Sequence, residues 1–415
     1  MYAQVAVENV NCTFDKDYDY SIPQQLEGKA LVGCRVAVPF GIGNRKRIGI
    51  ITRLTDSTQG KRIKSISAVL DEAPLLSNEM MSLARWISEQ TFCTYYEAVK
   101  AMLPAGINHK IIRSFCAVPG VDESVIASLD SDEKQVYDYL LSRSGYVKPE
   151  NFLKALGFDV SSDIPERLLK VGLLAANDDA VRNIGDNNIR MVRLCEGSDD
   201  VSMTKKQSEV VNVLKDVGSV SVKELCYFTG YTPSVISALE KKSVVECFER
   251  EELRSFVSRY AVQSAYDSGE IHLTDEQQKA YDGLLEDYKS GTGKTALLYG
   301  VTGSGKTSVY LKLIDAVLAD NKTVIVMVPE ISLTPQTLSV FHSRYNDGVA
   351  VFHSALSAGE RADEWKRVKN GDAKIVIGTR SAVFAPLENI GLIIIDEEQE
   401  HTYKSEQTPR YNAKS

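Results

Sequence analysis

The 415-residue sequence has no CxxC pair: its seven cysteines, at 12, 34, 93, 116, 195, 226 and 247, are scattered. Such spacing supports neither a metal-ligating cluster nor a disulfide framework, so no zinc ligands are expected in this chain and a reducing compartment is. Long apolar runs are also missing. The longest, such as 323–328 and 392–395, are far too short to cross a bilayer. Residues 1–10 have neither a basic start nor an apolar centre, so no secretory signal is expected. Nor is there an excess of positive charge. The 48 Lys and Arg stand against 56 Asp and Glu, a net −8, which excludes indiscriminate nucleic-acid binding over the whole surface. These absences together predict a cytoplasmic protein without a membrane segment.

The charge that is present is uneven. Residues 1–105 carry 12 basic and 11 acidic residues, whereas 107–200 carry 11 and 16. Within the first segment the basic residues gather at Arg45-Lys46-Arg47 and at Lys61, Arg62 and Lys64. Any contact with DNA must come from such local patches.

Patterning predicts a multidomain α/β chain. Residues 1–70 alternate in strand fashion and are punctuated by Gly28, Gly33, Gly41 and Gly43; helical spacing follows over 77–103. This gives a mostly β domain over 1–105. Two segments then repeat a scheme of three short helices, at 106–200 and 201–265. Thr232-Pro233 suits the start of a helix, and 244–248 reads as a short strand. The first segment is winged-helix-like and the second a winged helix, with the Asn- and Asp-rich stretch 177–200 as linker. From 266 to 415 five apolar runs, at 296–300, 323–328, 349–354, 374–379 and 392–396, alternate with helical segments at 306–319, 335–345, 358–370 and 381–387. That alternation predicts one doubly wound lobe built on a parallel sheet.

Two GKT triplets lie close together, at 293–295 and 305–307. A phosphate loop needs a strand, a glycine-rich turn and a helix whose first amides face the phosphates. Gly300-Val301-Thr302-Gly303-Ser304-Gly305-Lys306-Thr307 satisfies every position of G-x-x-x-x-G-K-[ST]. Lys306 is expected to reach the β- and γ-phosphates, and Thr307 to bind Mg²⁺. The triplet at Lys294 fails: Tyr288 stands where its first glycine should, and an apolar run rather than a helix follows. The run 392–396 ends in Asp396-Glu397. Asp396 is expected to hold Mg²⁺ through water and Glu397 to orient the attacking water. Gln277, three residues after Thr274, can either select adenine or simply complete a helix cap. Turns after other runs carry Thr334, Thr379 and Arg380, residue types that suit DNA phosphates.

With GVTGSGKT, the stretches PEISLTPQ, FHSALSAGER, IGTRSAVFAP and DEEQEHTYKSEQTPRY closely resemble the helicase core of the bacterial primosomal protein N′ (PriA) family. YDYSIP, GCRVAVPFG and IKSISAVLDEAPLLS resemble that family's domain for DNA 3′ ends. The resemblance covers 1–105 and 273–415 well and is loose between them. It implies a superfamily 2, 3′-to-5′ helicase that restarts stalled forks, with a RecA-like lobe binding ATP and Mg²⁺ through Gly300, Gly303, Ser304, Gly305, Lys306, Thr307 and Asp396. It places a 3′-end pocket on Tyr18, Asp19, Gly41 and Lys64, and an aromatic-rich DNA loop on Tyr403, Lys404, Arg410 and Tyr411. Gln399 stands where the family usually has His, leaving Gln399 or His401 to couple DNA to hydrolysis. The resemblance also implies forked and single-stranded DNA, other primosome proteins and single-stranded-DNA-binding protein as partners, a monomer, and a nucleoid-associated location. A second lobe with arginine fingers and zinc-binding cysteines is expected outside these residues, so the polypeptide alone is expected not to turn over ATP. The rival readings are a DNA adaptor that uses ATP only as a switch and another superfamily 2 translocase.

Overall fold

A computed structural model describes the chain except residues 42, 59, 61, 183–187, 196–202, 252, 254–270 and 302. Lys61, Thr302 and the expected boundary at 265/266 lie outside the described residues. The chain divides into two compact units, residues 1–184 with 257–415, and residues 185–256.

The larger unit begins with an antiparallel sheet. Its strands are β1 (Tyr2–Val7), β2 (Tyr18–Ser21), β3 (Arg35–Phe40), β4 (Arg45–Thr55), β5 (Lys64–Ser65) and β6 (Ala68–Val69). They lie in the order β5-β2-β1-β4-β3-β6, with only the short β2–β5 pair parallel. β3 and β4 form a hairpin in register from Phe40↔Arg45 to Arg35↔Ile50. Alternation buries Val5, Val36, Val38 and Ile51 in one core, as a sheet with one covered face requires.

The helical stretch expected over 77–103 is two helices, α1 (Asn78–Thr91) and α2 (Tyr95–Met102). Phe92 takes a left-handed backbone (φ 53°) and ends the first. Thr94 and Glu97 then form a reciprocal capping box that starts the second. A break with its own new cap is invisible to apolar periodicity alone.

Next come β7 (His109–Ala117), α3 (Glu123–Ala127), α4 (Ser131–Leu141), α5 (Pro149–Leu156), α6 (Ile164–Lys170) and β8 (Leu174–Arg182). β7 and β8 pair antiparallel along their whole length, over a core that includes Phe115, Tyr137, Phe152 and Leu168. The smaller unit holds β9 (Asn188–Leu194), α7 (Lys205–Val217), β10 (Ser219–Ser221), α8 (Val222–Thr229), α9 (Pro233–Lys241) and β11 (Val245–Glu251). β9 pairs with both β10 and β11. The stretch read as linker therefore contains most of β8 and all of β9. Its Asn and Asp content signals loop, but Val192 is fully buried and Leu194 packs beside it, while the intervening Arg193 pairs outside with Glu246.

The last region holds α10 (Asp275–Lys289), α11 (Lys306–Ala319), β12 (Thr323–Met327), α12 (Pro335–Tyr345), β13 (Val349–Phe352), α13 (Ala358–Lys369), β14 (Ile375–Gly378) and β15 (Ile390–Ile395). Its sheet is parallel, in the order β13-β14-β12-β15. Nearly continuous apolar strands match burial on both faces: Val324, Ile325, Ala350, Val376 and Ile377 are all at most 1% exposed.

Two expectations fail here. Residues 296–300 form no strand, and Leu297 (75%), Tyr299 (91%) and Val301 (75%) are exposed. An extended segment makes no ladder of its own, and among the described residues no strand edge receives it. β15, at the sheet's end, likewise leaves Ile390 and Ile393 exposed. The helix expected over 381–387 is a 3₁₀ turn, Arg380–Phe384, because Pro386 denies it a further hydrogen bond.

The antiparallel and parallel regions share one core. Met81, Ala84 and Ile87 of α1 pack with Ala362 and Trp365 of α13 and with Phe384. Gly106 lies where a Cβ would meet the Ala358 carbonyl oxygen at 2.1 Å, so only glycine allows this approach. Lys369 Nζ donates to the Leu75 carbonyl at 2.7 Å and also to that of Pro74.

Candidate nucleotide and DNA sites

Gly305 leads directly into α11, so Lys306 and Thr307 sit in its first turn, where unpaired amides and the helix dipole favour an anion. Gly303 and Gly305 have φ of 81° and 77°, in the region that favours glycine. A Cβ on Gly305 would meet Gln277 Nε2 at 2.3 Å. Lys306 Nζ donates to the loop's own carbonyls, Gly300 at 2.7 Å and Val301 at 3.3 Å, and forms no ion pair among the described residues. An ammonium held only by its own loop suits a polyphosphate.

Asp396 follows β15, and its Oδ1 accepts from Tyr310 Oη at 3.3 Å. Tyr310 lies three residues after Thr307 on α11, so the same helix face carries Thr307 towards Asp396. Burial, then the charge of Asp396, raises the Tyr310 phenol well above its ordinary pKa, which keeps it a donor. Tyr310 was missed from the sequence, although its spacing from Thr307 was the available signal. Glu397 adopts φ 47°, rare for a non-glycine residue. Gln399 Nε2 donates to Glu397 Oε2 at 2.6 Å, while His401 is exposed. These groups fit ATP and Mg²⁺: an ammonium held only by carbonyls of its own loop, a helix start, and a hydroxyl and a carboxylate on adjoining elements.

Other site expectations change. Gln277 Oε1 accepts from the Thr274 N–H and its Nε2 donates to the Ser304 carbonyl, both at 2.9 Å. It is a helix cap that also braces the phosphate loop, and reading adenine would require it to leave both partners. Tyr403 is 1% exposed and its hydroxyl donates to the carbonyls of Asp396 (2.6 Å) and Met327 (3.2 Å). It holds the strand end that carries Asp396 and offers no face to a base. Thr379 is buried too, so its hydroxyl is not displayed to a phosphate. Thr334 accepts from the Thr337 N–H as the cap of α12. Arg380, Lys404 and Tyr411 are brought together: Arg380 donates to the Lys404 carbonyl at 3.3 Å. Tyr411 packs on Phe384 with ring centroids 4.6 Å apart, and burial pushes its phenol up to about 12 against the lowering effect of Arg380. Arg410 is exposed nearby in sequence. Lys294, of the other GKT, pairs with Asp287 at 2.7 Å on the surface.

At the N-terminal sheet two of the four expected pocket residues, Lys64 and Gly41, touch directly, while Tyr18 and Asp19, successive on β2, point to opposite faces of the sheet. Lys64 Nζ donates to the Gly41 carbonyl at 2.6 Å, and Lys64 lies opposite Tyr20 in the β2–β5 register, one residue from Asp19. Tyr18 meets Phe40 edge to face at 5.0 Å. Asp19 accepts from the Thr58 hydroxyl at 2.6 Å and from Gln4 Nε2 at 3.4 Å, which leaves further carboxylate lone pairs for a ligand. Gly41 has φ 69° and nothing within 4 Å of a notional Cβ, so its backbone conformation rather than a packed neighbour asks for glycine. Phe40, Thr58 and Gln4 were not foreseen; each touches a predicted residue from a distant strand or loop. Among the described residues no group of three or more His, Cys, Asp or Glu could hold a metal ion, and no helix is long and apolar enough to cross a membrane.

Residues 4–104 match the 3′ DNA-binding domain (3′BD) of PriA, and residues 274–413 match the DEAD/DEAH box helicase family. The replication restart protein PriA of Bacillus subtilis is 35% identical over 421 residues, covering 100% of this chain and 51% of that protein. That of Synechocystis is 32% identical, over 96% of this chain and 48% of its own length. That of Treponema pallidum is 48% identical over 34% of this chain and 21% of its own.

Proposed function

Because the chain belongs to the PriA family and spans about half the length of the curated relatives it matches, we propose that it acts in replication restart as the fork-binding part and ATP-binding lobe of a 3′-to-5′ DNA helicase. The carrying observation is that the match to a 3′ DNA-binding domain and the match to a helicase fall on two regions that share one hydrophobic core. An end-reader fused to a nucleotide site is what a fork-recognising motor needs. The 266–415 region is read as a RecA-like lobe, with ATP held by Lys306 and the amides at the start of α11. When bound, Mg²⁺ supplies charge neutralisation at the phosphates, with Thr307 and Asp396 as its holders. Glu397 holds and orients the attacking water, and Gln399 fixes the Glu397 carboxylate.

Asp19 is the acceptor for a terminal 3′-hydroxyl, Tyr18 stacks on the last base, and Lys64 contacts the backbone. Arg380, Lys404, Arg410 and Tyr411 form the DNA-facing edge of the motor region. The segments 106–200 and 201–265 are read as winged-helix modules lying along a branched DNA. Cytoplasmic work on the nucleoid, as a monomer beside primosome proteins and single-stranded-DNA-binding protein, completes the reading.

The test compares forked DNA ending in a 3′-hydroxyl with the same DNA bearing a 3′-phosphate. Asp19 faces the phosphate dianion with like charge, so the hydroxyl end should bind better by roughly 5- to 10-fold. Asp19→Ala should erase that preference, and Lys64→Ala should weaken both ends alike. Equal binding of both ends by the unmutated chain refutes the pocket.

A further inference from the structure

A cavity of about 460 Å³ opens beside the first residues of β4, between α2 and the start of β7. Seven of its lining residues are Arg or Lys and two are acidic. Both acids are engaged within the protein. Asp178 accepts from Arg113 Nε and NH2 at 2.7 and 2.9 Å and from the Lys46 N–H at 3.2 Å. Glu8 Oε1 accepts from the Ile48 N–H at 2.9 Å. Arg45, Lys100 and Lys110, by contrast, are exposed and form no ion pair among the described residues. Three exposed cations without an ion-pair partner, of which Arg45 also acts at longer range on Asp178, line one cleft of a chain whose net charge is −8, an arrangement that favours a polyanion.

Two features define which polyanion. The cleft's ring-bearing lining residues, Tyr96 and His109, are both half-buried, and no Trp or Phe lines it, so it offers little ring face to an unstacked base. The contacts on offer are therefore to phosphates, as on a duplex whose bases remain paired. The cleft also adjoins the 3′-end pocket. Arg47, on its rim, lies 4.7 Å over the Phe40 ring, and Phe40 meets Tyr18 edge to face.

We propose that this cleft binds the phosphate backbone of duplex DNA through Arg45, Lys100 and Lys110, so that a duplex arm lies along it while a 3′ end occupies the neighbouring pocket. The arm's position relative to the pocket rests on the reading of Tyr18 and Asp19 above; the cleft's own affinity for duplex does not. The test uses the whole chain, a blunt DNA duplex carrying 3′-phosphates, and a 3′-phosphorylated single strand. The triple variant Arg45→Ala/Lys100→Ala/Lys110→Ala should bind duplex roughly 10- to 30-fold more weakly near 0.1 M salt, with the slope of log K against log salt shallower by about 2–3. The charge-preserving variant Arg45→Lys/Lys100→Arg/Lys110→Arg should keep both affinity and slope. Single-strand affinity should fall less than threefold. Unchanged duplex affinity and slope in the alanine variant overturns the proposal, as does an equal loss on single strand or loss in the charge-preserving variant. Failure of the pocket shows separately, as equal binding of hydroxyl and phosphate ends by the unmutated chain, with the salt slope intact.

Discussion

The antiparallel sheet of residues 2–69 and the parallel sheet of residues 323–395 solve the same problem with different partners. In the first, β3 and β4 are neighbours in sequence that pair directly, and β1 is laid between β2 and β4. In the second, each strand pairs with one reached by a helical crossover, and the apolar run 296–300 finds no edge. Local pairing makes a strand where its sequence says so. Non-local pairing makes a strand only where a partner is present. The phosphate loop, though preceded by that unpaired run, still opens α11 with both glycines in left-handed conformations.

The widest contrast to test is therefore between the two GKT triplets on either side of the unpaired run. Lys306→Ala should weaken binding of a fluorescent ATP analogue by about 2–3 kcal/mol, roughly 30- to 150-fold, through loss of a charge-assisted contact. Lys294→Ala, which disturbs only an exposed pair with Asp287, should change it less than about twofold. The reverse ranking would move the phosphate site to the other triplet.

What the sequence disclosed follows the same division. Strands β3 and β4 and the parallel strands β12 to β15 were readable from alternation and from apolar runs; Lys306 and Asp396 were singled out by motif, and Lys64 and Gly41 by resemblance, while the hydrogen bond between these last two was not foreseen. Tyr403 was misread because an aromatic in a polar loop is indistinguishable from one whose hydroxyl caps a strand end from within. The cap role of Gln277 was one of two readings, and only the Ser304 carbonyl 27 residues away shows that the amide also braces the loop. Phe40 acts through Tyr18, which no local pattern brings beside it, and the contact of Tyr310 with Asp396 is equally non-local, although its spacing from Thr307 was a local signal.

The join between the two sheets gives the next test. Gly106→Ala drives a Cβ into the Ala358 carbonyl, a backbone atom that cannot swing aside. The expected loss is about 1–3 kcal/mol of stability, read by urea unfolding. Gly43→Ala, with nothing within 4 Å of its Cβ, should stay within about 0.5 kcal/mol. Equal effects at both positions would mean that the shared core does not hold the regions together. A smaller change is expected at Tyr403→Phe. It removes a buried hydroxyl donating to two carbonyls and should cost about 1–2 kcal/mol while leaving single-stranded DNA affinity unchanged. A loss of DNA affinity without loss of stability would restore Tyr403 as a stacking residue.

The smallest effect concerns how DNA is felt at the nucleotide. Gln399 Nε2 lies 2.6 Å from Glu397 Oε2, and Glu397 is held at an unfavourable φ of 47°. A strained residue keeps its conformation only when its surroundings determine it, and here the Gln399 amide is one of those surroundings. His401 has an exposed side chain and no hydrogen bond to Glu397 among those described. If Gln399 is the coupling residue, Gln399→Ala should leave the ATP-analogue affinity of the DNA-free chain nearly intact. It should also reduce the change in affinity that forked DNA produces by roughly two- to threefold, the equivalent of an exposed charge-assisted hydrogen bond of about 0.5 kcal/mol. His401→Ala should leave that change as it was. The measurement is a pair of titrations, with and without forked DNA, on each variant. Loss of the DNA effect in His401→Ala with retention in Gln399→Ala would transfer the coupling role to the histidine and make the Glu397 contact incidental.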